Sequence, residues 1–359
     1  MTAVWINAIG SAVPPYDIHL PFVQFALSLL PDDRARATFE RMAERSGIAH
    51  RYSFLPAAGP EAPAADGRGF YRRGAFPTTA SRMALYEQEA LTLAAAAVAS
   101  LNIGDDLCRI THLIVASCTG FVAPGLDLLL VQKLGLQTNV ERTLVGFMGC
   151  AAAVPSLRLA YHTVRSDPAA RVLVVSVELS TLHLQETSNL ETILSFLLFG
   201  DGAAAALVTA KSGGIELESF RATIIPDTQN LITWKIGDQG FDMHLSGQVP
   251  LRIAQALRDP TYRNDLFGGG KLTDFGLWAI HGGGRTVLDA TEAGLALGPE
   301  ALTESRAILH DFGNVSSATV MFVLRRMLRS TTASSKPGVA IAFGPGMVAE
   351  SFRFRLAPT

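Results

Sequence analysis

The chain has 359 residues, of which 48% are hydrophobic and 17% are charged, and its formal net charge is −2. This apolar content excludes an intrinsically disordered chain, and the near-zero net charge excludes the broad positive field of a general nucleic-acid binder. Three scattered cysteines are too few for a disulfide framework or a CxxC metal site. The length is that of two domains or of one large duplicated domain.

The N-terminus carries no targeting signal that we can identify. The opening sequence MTAVWINAIGSAVPP lacks the basic segment of a secretory signal, and its prolines break any apolar helix. The most apolar run, 91–99, is much shorter than the roughly 20 residues needed to cross a bilayer. We therefore expect a cytoplasmic protein without stable membrane insertion.

The first half of the chain alternates short apolar strands with helices. β-Branched and aromatic residues predict a strand over 3–9, helical periodicity covers 17–46, and the Pro-, Ala- and Gly-rich stretch 56–69 predicts a loop. After an Ala-rich helix at 80–100, the pattern predicts helices at 126–135 and 150–166 and strands at 110–117, 143–147, 171–179 and 202–210.

The second half repeats this alternation. The pattern predicts a strand leading into a loop at 275–283 and a helix at 285–297. It then predicts a loop with a further helix at 312–330 and a strand pair around a Gly-rich turn at 338–356. Short apolar strands alternating with helices favour an α/β fold whose parallel or mixed sheet is covered on both faces. We expect a structural duplication, with an N-terminal half at 1–212 and a C-terminal half at 213–359.

Cys150 is the first candidate for chemistry. It follows a predicted strand and a glycine, and it opens the Ala-rich segment AAAVPSLRLA. A helix N-terminus favours thiolate, so this placement predicts a lowered thiol pKa. The alternative is a buried and inert cysteine, which is common for a free thiol.

Two polar residues lie in comparable positions. His281 ends the apolar strand WAIH and precedes three glycines, where α/β folds often place reactive groups. Asn314 lies in Gly-Asn-Val-Ser-Ser before a predicted helix. Taken singly, His281 could be a capped core histidine and Asn314 a helix N-cap. A neutral amide can also donate to a developing oxyanion.

Cys, His and Asn together form a constellation for thiolate acyl chemistry. A papain-like protease has the same order of residues, but its cysteine lies near the mature N-terminus in a different local motif. Here the motif is Gly-Phe-Met-Gly-Cys, deep in the chain. The protease alternative therefore fails on context.

Segments along nearly the whole chain resemble the type III polyketide synthases, the chalcone-synthase-like branch of the thiolase superfamily. They are RMAERSGIAHRY, GFMGCAAAVPSLRLA, LLFGDGAAAALV, WAIHGGGRTVLD, FGNVSSATVMFVL and AFGPGMVAES. A ketoacyl synthase III would share the Cys, His and Asn but not the FGPG turn. The segment 68–87 is similar to bacterial members that make alkylresorcinols or alkylpyrones. The resemblance implies a duplicated, thiolase-like αβαβα layered fold.

The resemblance also implies roles for the three candidate residues. Cys150 falls on the nucleophile that takes the starter acyl group from coenzyme A. His281 and Asn314 fall on the pair that holds the thioester carbonyl, assists decarboxylation of malonyl-coenzyme A and stabilises the enolate.

Further positions match substrate-contacting residues of the family. Phe199 falls on the gatekeeper phenylalanine between tunnel and cavity, and Phe343 lies in the turn that shapes the cavity. Arg41 and Arg45 match basic residues that contact the phosphates of coenzyme A.

Several cavity positions depart from the plant pattern. Ala123 replaces a methionine that reaches into the partner subunit's cavity. Ser180 and His183 replace two cavity threonines, and Trp234 and Met243 replace a glycine and a phenylalanine. We therefore expect a differently shaped cavity and a product other than a chalcone.

The activity implied is a homodimeric synthase that extends an acyl-coenzyme A starter, expected to be a fatty acyl group, with malonyl units and releases an alkylresorcinol or alkylpyrone. Coenzyme A thioesters are the substrates, and no metal or other cofactor is expected. Two alternatives stay open at this point: a ketoacyl synthase III-like enzyme that makes one condensation, and a non-catalytic scaffold that binds acyl chains.

Overall fold

The computed structural model describes residues 2–59, 62–269, 271–330 and 337–357. The α-helices in these ranges are α1 (His19–Leu29), α2 (Asp33–Glu44), α3 (Thr79–Ala99), α4 (Leu126–Leu134), α5 (Ala153–Ser166), α6 (Leu190–Leu198), α7 (Val249–Arg258), α8 (Pro260–Phe267), α9 (Arg285–Leu295), α10 (Thr303–Phe312) and α11 (Thr319–Arg329). The strands are β1 (Val4–Ala12), β2 (Tyr16–Asp17), β3 (Tyr52–Ser53), β4 (His112–Ser117), β5 (Glu141–Gly146), β6 (Val172–Leu179), β7 (Asp201–Thr209), β8 (Ile215–Ile224), β9 (Ile232–Gly237), β10 (Gly240–Leu245), β11 (Leu277–Ile280), β12 (Gly338–Gly344) and β13 (Val348–Leu356).

Nine of these strands form one mixed sheet in the order β11-β12-β13-β8-β1-β7-β6-β4-β5. From β1 outward, the pairs β1–β7 and β7–β6 are antiparallel and β6–β4 is parallel. From β8 outward in the other direction, β8–β13 and β13–β12 are antiparallel and β12–β11 is parallel. The two halves of the sheet thus repeat one order of strand directions and meet at the antiparallel pair β1–β8.

Helices cover both faces of the sheet. α5 contacts β4 and β6 as well as β13, and α11 contacts β1 and β7 as well as β11 and β12. These two helices therefore form a central layer that touches both halves. α3 and α4 pack outside the first half, and α8 packs outside β8 and β13. This arrangement confirms the predicted layered α/β fold.

The elements with long apolar runs lie where the sequence predicts them. β6 and β7 are buried at every position, as expected for strands covered on both faces. α4 ends as predicted at Gly135, whose left-handed conformation (φ 63°) terminates the helix.

Nine of the described elements were not predicted: the helices α6, α7, α8 and α10 and the strands β2, β3, β8, β9 and β10. Their sequences mix polar and apolar residues, because most of them bury only one face. In β9, for example, Lys235 and Ile236 are exposed while the preceding residues are half-buried.

In the described part of the chain, every helix is too short or too polar to cross a membrane.

Candidate active site

The structure places Cys150, His281 and Asn314 in the wall of one cavity. The cavity encloses about 1420 Å³, counting the space at its open mouth. Its lining is mainly apolar and comes from both halves of the chain. The three residue types that the sequence singles out therefore converge on a shared volume.

Cys150 lies in a tight turn before α5. A 3₁₀ turn spans Gly149–Ala151, and the helix begins three residues after the cysteine, at Ala153. Gly149 has φ 58°, and a Cβ atom on it would lie 2.3 Å from Cδ of Pro345. Only glycine fits this close approach, so the turn of the thiol packs directly against the Gly-Pro-Gly turn that follows β12.

His281 directly follows β11. Its backbone N–H donates to the carbonyl of Ile341 (2.8 Å), which continues the pairing of β11 with β12. The side chain is 1% exposed, and neither Nδ1 nor Nε2 has a hydrogen-bond partner among the described residues. Buried polar atoms without partners are unfavourable, so both ring nitrogens are available to a ligand.

Asn314 lies nearest to the thiol. Its Nδ2 is 3.9 Å from Sγ of Cys150 and donates to the carbonyl of Gly283 (3.4 Å), two residues after His281. Its Oδ1 accepts from the backbone N–H of Ser316 (2.8 Å). This hydrogen bond fixes the orientation of the amide, which places Nδ2 towards the glycine turn after His281 and leaves Oδ1 4.0 Å from Sγ of Cys150.

Burial decides the protonation of the thiol and the imidazole. Burial raises the pKa of Cys150 to about 11, the carboxylate of Glu178 adds to the rise, and hydrogen bonds with Ser316 and Asn314 oppose it. Burial lowers the pKa of His281 to about 4. The prediction of a lowered thiol pKa is therefore wrong for the site without substrate, because desolvation outweighs the field of the helix start.

Glu178 is a site residue that sequence analysis missed. It is fully buried in β6 and accepts from Oγ of Ser317 (2.5 Å), Oγ1 of Thr119 (2.9 Å) and the backbone N–H of Cys118 (3.0 Å). These bonds tie β6 to the loop after β4 and to the turn before α11. The sequence does contain a signal for this residue, because Glu178 is the one acidic residue in the apolar run VLVVSVEL.

Five of the seven predicted substrate-contacting residues line the cavity: Phe199, Phe343, Ser180, Trp234 and Met243. Trp234 in β9 and Met243 in β10 are directly opposite each other in the hairpin. The indole N–H of Trp234 donates to the carbonyl of Cys118 (2.7 Å), which fixes the ring against the loop after β4.

His183 does not line the cavity, which corrects the expectation for this position. The ring is fully buried, bonds the carbonyl of Thr119 through Nε2 (2.7 Å) and accepts from the backbone N–H of Phe241 at Nδ1 (3.0 Å). It also stacks on the ring of Phe241, with centroids 4.2 Å apart. Both nitrogens are therefore used by the protein, and His183 supports the wall from behind.

Ala123 is also absent from the wall of this cavity, and it is exposed in the loop before α4. Arg41 on α2 and Arg45 directly after it are exposed and lie outside the cavity wall. Nη1 of Arg285, at the start of α9, donates to the carbonyl of Arg45 (3.3 Å). Val287, two residues further along α9, lines the cavity. Sequence analysis did not identify Arg285.

Family models match nearly the whole chain. The model for the N-terminal domain of chalcone and stilbene synthases matches residues 3–212, and the model for their C-terminal domain matches residues 216–358.

Relatives and solved structures agree with these models. Bisdemethoxycurcumin synthase from Oryza sativa subsp. japonica is 34% identical over 96% of this chain and 90% of its own. Pks18 from Mycobacterium tuberculosis, described as an α-pyrone synthesis polyketide synthase-like protein, is 32% identical over 77% of this chain and 73% of its own. The structure of 1,3,6,8-tetrahydroxynaphthalene synthase from Streptomyces coelicolor A3(2), a bacterial type III polyketide synthase, matches with a TM-score of 0.88 and 27% identity over 99% of this chain and 100% of that one.

The fold is thus the thiolase-like α/β fold of the type III polyketide synthases, a class of acyltransferases. The chain belongs to the chalcone and stilbene synthase family. The names of the three relatives refer to three different products, so membership defines the class of reaction and leaves the product open.

Proposed function

We propose that this protein loads a fatty acyl group from coenzyme A onto Cys150, extends it repeatedly with malonyl-coenzyme A, and cyclises the product to an alkylresorcinol or alkylpyrone. The observation that carries the proposal is the position of the thiol, the unpartnered imidazole and the oriented amide in one deep, mainly apolar cavity.

Loading begins from a neutral thiol and a neutral imidazole. In the proposed step, Sγ of Cys150 attacks the acyl carbon while its proton passes to His281, and coenzyme A leaves as a thiol after taking that proton. The carbonyl oxygen becomes an oxyanion that His281 and Nδ2 of Asn314 stabilise by donating to it. The high pKa of the free thiol means that thiolate forms only as the proton moves.

Extension uses the same two donors. Malonyl-coenzyme A loses carbon dioxide, and the electron pair of the broken C–C bond forms an enolate whose oxygen lies against His281 and Asn314. Each such donor contributes about 3–4 kcal/mol to stabilising the developing charge. The enolate carbon then attacks the thioester on Cys150, and the sulfur leaves as a thiolate that takes a proton from solvent. The extended chain is now a coenzyme A thioester and is loaded again for the next cycle. The chemistry uses coenzyme A thioesters alone, without a metal or another cofactor.

One arm of the cavity supports an aliphatic starter. We call it the α1 arm, and it is lined by Phe22, Phe25, Leu55, Ala65, Tyr71 and Leu184. The hydroxyl of Tyr71 donates to the carbonyl of Thr181 (2.8 Å), and the carboxylate of Asp66 accepts from backbone N–H groups. Since these polar groups are already bonded within the protein, the arm suits a hydrocarbon chain, which needs no hydrogen bonds.

A ladder of acyl-coenzyme A starters tests this function. With malonyl-coenzyme A, the wild-type protein should release carbon dioxide and give products with several extensions, and long-chain starters should exceed aromatic ones in kcat/KM. Ala65→Phe, which fills the α1 arm, should lower kcat/KM for long chains about tenfold relative to short chains. Ala58→Phe lies in the same loop outside the cavity wall and is the matched control.

The outcomes separate the alternatives. Absence of carbon dioxide release and of extended products would reject the synthase function, and products with one extension would favour a single-condensation enzyme. Equal kcat/KM for aromatic and aliphatic starters would reject the role of the α1 arm.

We further propose a homodimer formed through the free edge of the sheet. β5 is the terminal strand, most of its residues are exposed, and Leu144 is 50% exposed. Phe121 is 48% exposed and stacks on Phe147 with ring centroids 4.9 Å apart. An unpaired edge strand beside exposed apolar side chains is a surface that a second copy can cover. Ala123 is exposed in the same loop as Phe121, which agrees with a position facing a partner.

Leu144→Lys should weaken this dimer, because pairing would bury an uncompensated charge. We expect the wild type to have twice the chain mass of 38.3 kDa by light scattering after gel filtration, and the variant to shift towards the monomer. Leu251→Lys alters an equally exposed leucine on α7 and should leave the mass unchanged. A wild-type protein that is monomeric at micromolar concentration would contradict the proposed dimer.

A further inference from the structure

We infer that the buried guanidinium of Arg51 is a positioning group that holds both Phe199 and the catalytic amide of Asn314, an inference that rests on the proposed function. Arg51 precedes β3 and is 1% exposed. It makes no hydrogen bond to Cys150 or His281, and the proposed reaction assigns it no step.

The guanidinium of Arg51 donates hydrogen bonds to backbone carbonyls at the C-terminal end of α6. Its Nη1 donates to the carbonyls of Phe196 (2.9 Å) and Phe199 (2.5 Å), and its Nε donates to Nδ1 of His19 (3.1 Å). The last carbonyls of a helix have no partners within the helix, and a cation at this end also complements the helix dipole. Two carbonyl bonds from one planar group fix the direction in which the chain leaves α6, and therefore the position of Phe199.

The same segment is paired with the backbone of the catalytic amide. The N–H of Asn314 donates to the carbonyl of Leu198 (2.8 Å), and the N–H of Gly200 donates to the carbonyl of Asn314 (3.0 Å). These bonds flank Phe199, which forms a parallel bridge with Asn314. A displacement of the Leu198–Gly200 segment therefore displaces the Asn314 backbone with it.

Arg51 lines the cavity, and close packing restrains it on two other sides. A Cβ atom on Gly313 would lie 2.7 Å from Cγ of Arg51 and 2.9 Å from the carbonyl oxygen of Leu198. On the other side, the guanidinium lies 4.8 Å from the centroid of the Phe22 ring in the cavity wall. Arg51 thus fills the space between α1, the end of α6 and the turn before Asn314.

Arg51→Met tests this inference, because it keeps an unbranched, flexible stem in the buried site and removes the guanidinium with every donor. Displacement of a donor by about 1 Å can cost on the order of 100-fold in rate. We therefore expect carbon dioxide release from malonyl-coenzyme A to fall about 100-fold per folded site. Folded sites are counted from the amplitude of the cooperative thermal unfolding transition, because an unfolded chain exposes the Cys150 thiol and would also react with alkylating reagents.

The normalisation separates positioning from folding. If Arg51 only supports the fold, the folded fraction and carbon dioxide release fall in proportion, and the inference is overturned. Arg82→Met is the matched control, since Arg82 is also fully buried and donates to three backbone carbonyls, those of Pro77, Leu182 and Leu184. These bonds do not involve the Leu198–Gly200 segment, so its release per folded site should stay within about threefold of the wild type.

Arg51→Lys provides a second variant if Arg51→Met does not fold. Lysine keeps the charge but cannot hold three acceptors in one plane, so we expect intermediate release per folded site. Full wild-type release in Arg51→Lys would overturn the role of the paired hydrogen bonds. If the wild type itself releases no carbon dioxide, the proposed function fails; if the wild type is active and Arg51→Met matches it per site, only the positioning role fails.

Discussion

Replacing Cys150 by alanine should lower product formation by on the order of 10⁴-fold or more, because the acyl group then has no nucleophile to carry it. The substitution removes one sulfur atom from the cavity wall, so the fold and the binding of coenzyme A thioesters should change little. Intact-protein mass spectrometry after incubation with a long-chain acyl-coenzyme A should find the acyl adduct on the wild type and none on Cys150→Ala.

The other two cysteines provide the comparison. Cys108 is exposed outside the cavity, and Cys108→Ala should keep both the adduct and the product. Cys118 lines the cavity, and its Sγ lies 3.5 Å from the carbonyl of Gly149. An acyl adduct that persists in Cys150→Ala and maps to Cys118 would mean that the nucleophile is misassigned.

Much of the fold follows from the sequence where burial is complete. β6 and β7 are covered on both faces, so their apolar runs can belong only to interior strands. The hairpin β9–β10 faces the cavity on one side and solvent on the other, and its mixed composition carries no comparable signal. Trp234 and Met243 were identified as substrate-contacting positions through family resemblance, although the hairpin that presents them was not predicted.

The residues of the candidate site also differ in how well the sequence predicts their roles. Cys150, His281 and Asn314 are recognisable because each lies beside a glycine turn at the end of an element, and such turns are visible in the sequence. His183 was placed in the cavity by its position in the motif, but the sequence does not reveal that two backbone groups hold both ring nitrogens.

The protonation state of the site could not be predicted for a related reason. The rule that a helix start lowers a thiol pKa is local, whereas burial depends on every element around the turn. Pro345 and Ser316 come from distant parts of the chain, yet they enclose the thiol with Asn314. The sequence therefore identifies Cys150 as the candidate nucleophile, but it does not predict that the pKa of this thiol is raised.

Replacing His281 by alanine should lower both acyl loading and malonyl-coenzyme A decarboxylation, each by about 10³-fold. Both steps need the ring: loading requires a base for the Cys150 proton, and decarboxylation requires a donor to the enolate oxygen. Stopped-flow loading and carbon dioxide release measure the two steps separately. A variant that loads at the wild-type rate but does not decarboxylate would restrict His281 to the second step.

The pH dependence gives an independent test of the same residue. Because the pKa of His281 is lowered to about 4, the ring is a neutral base above that pH, and loading should be lost only as pH falls through about 4. The lowered pKa of His281 also makes the free energy of unfolding depend on pH. The folded protein has its full stability above pH 6.5, the pKa of the ring in the unfolded chain, and loses stability as the pH falls towards 4. Thermal unfolding at each pH therefore separates loss of the base from loss of the fold.

Iodoacetamide labelling of Cys150 should rise steadily above pH 7, since the pKa of this thiol is about 11. A labelling rate that is already at its plateau at pH 6 would indicate a thiolate–imidazolium pair in the resting site and would contradict the neutral pair from which loading is derived.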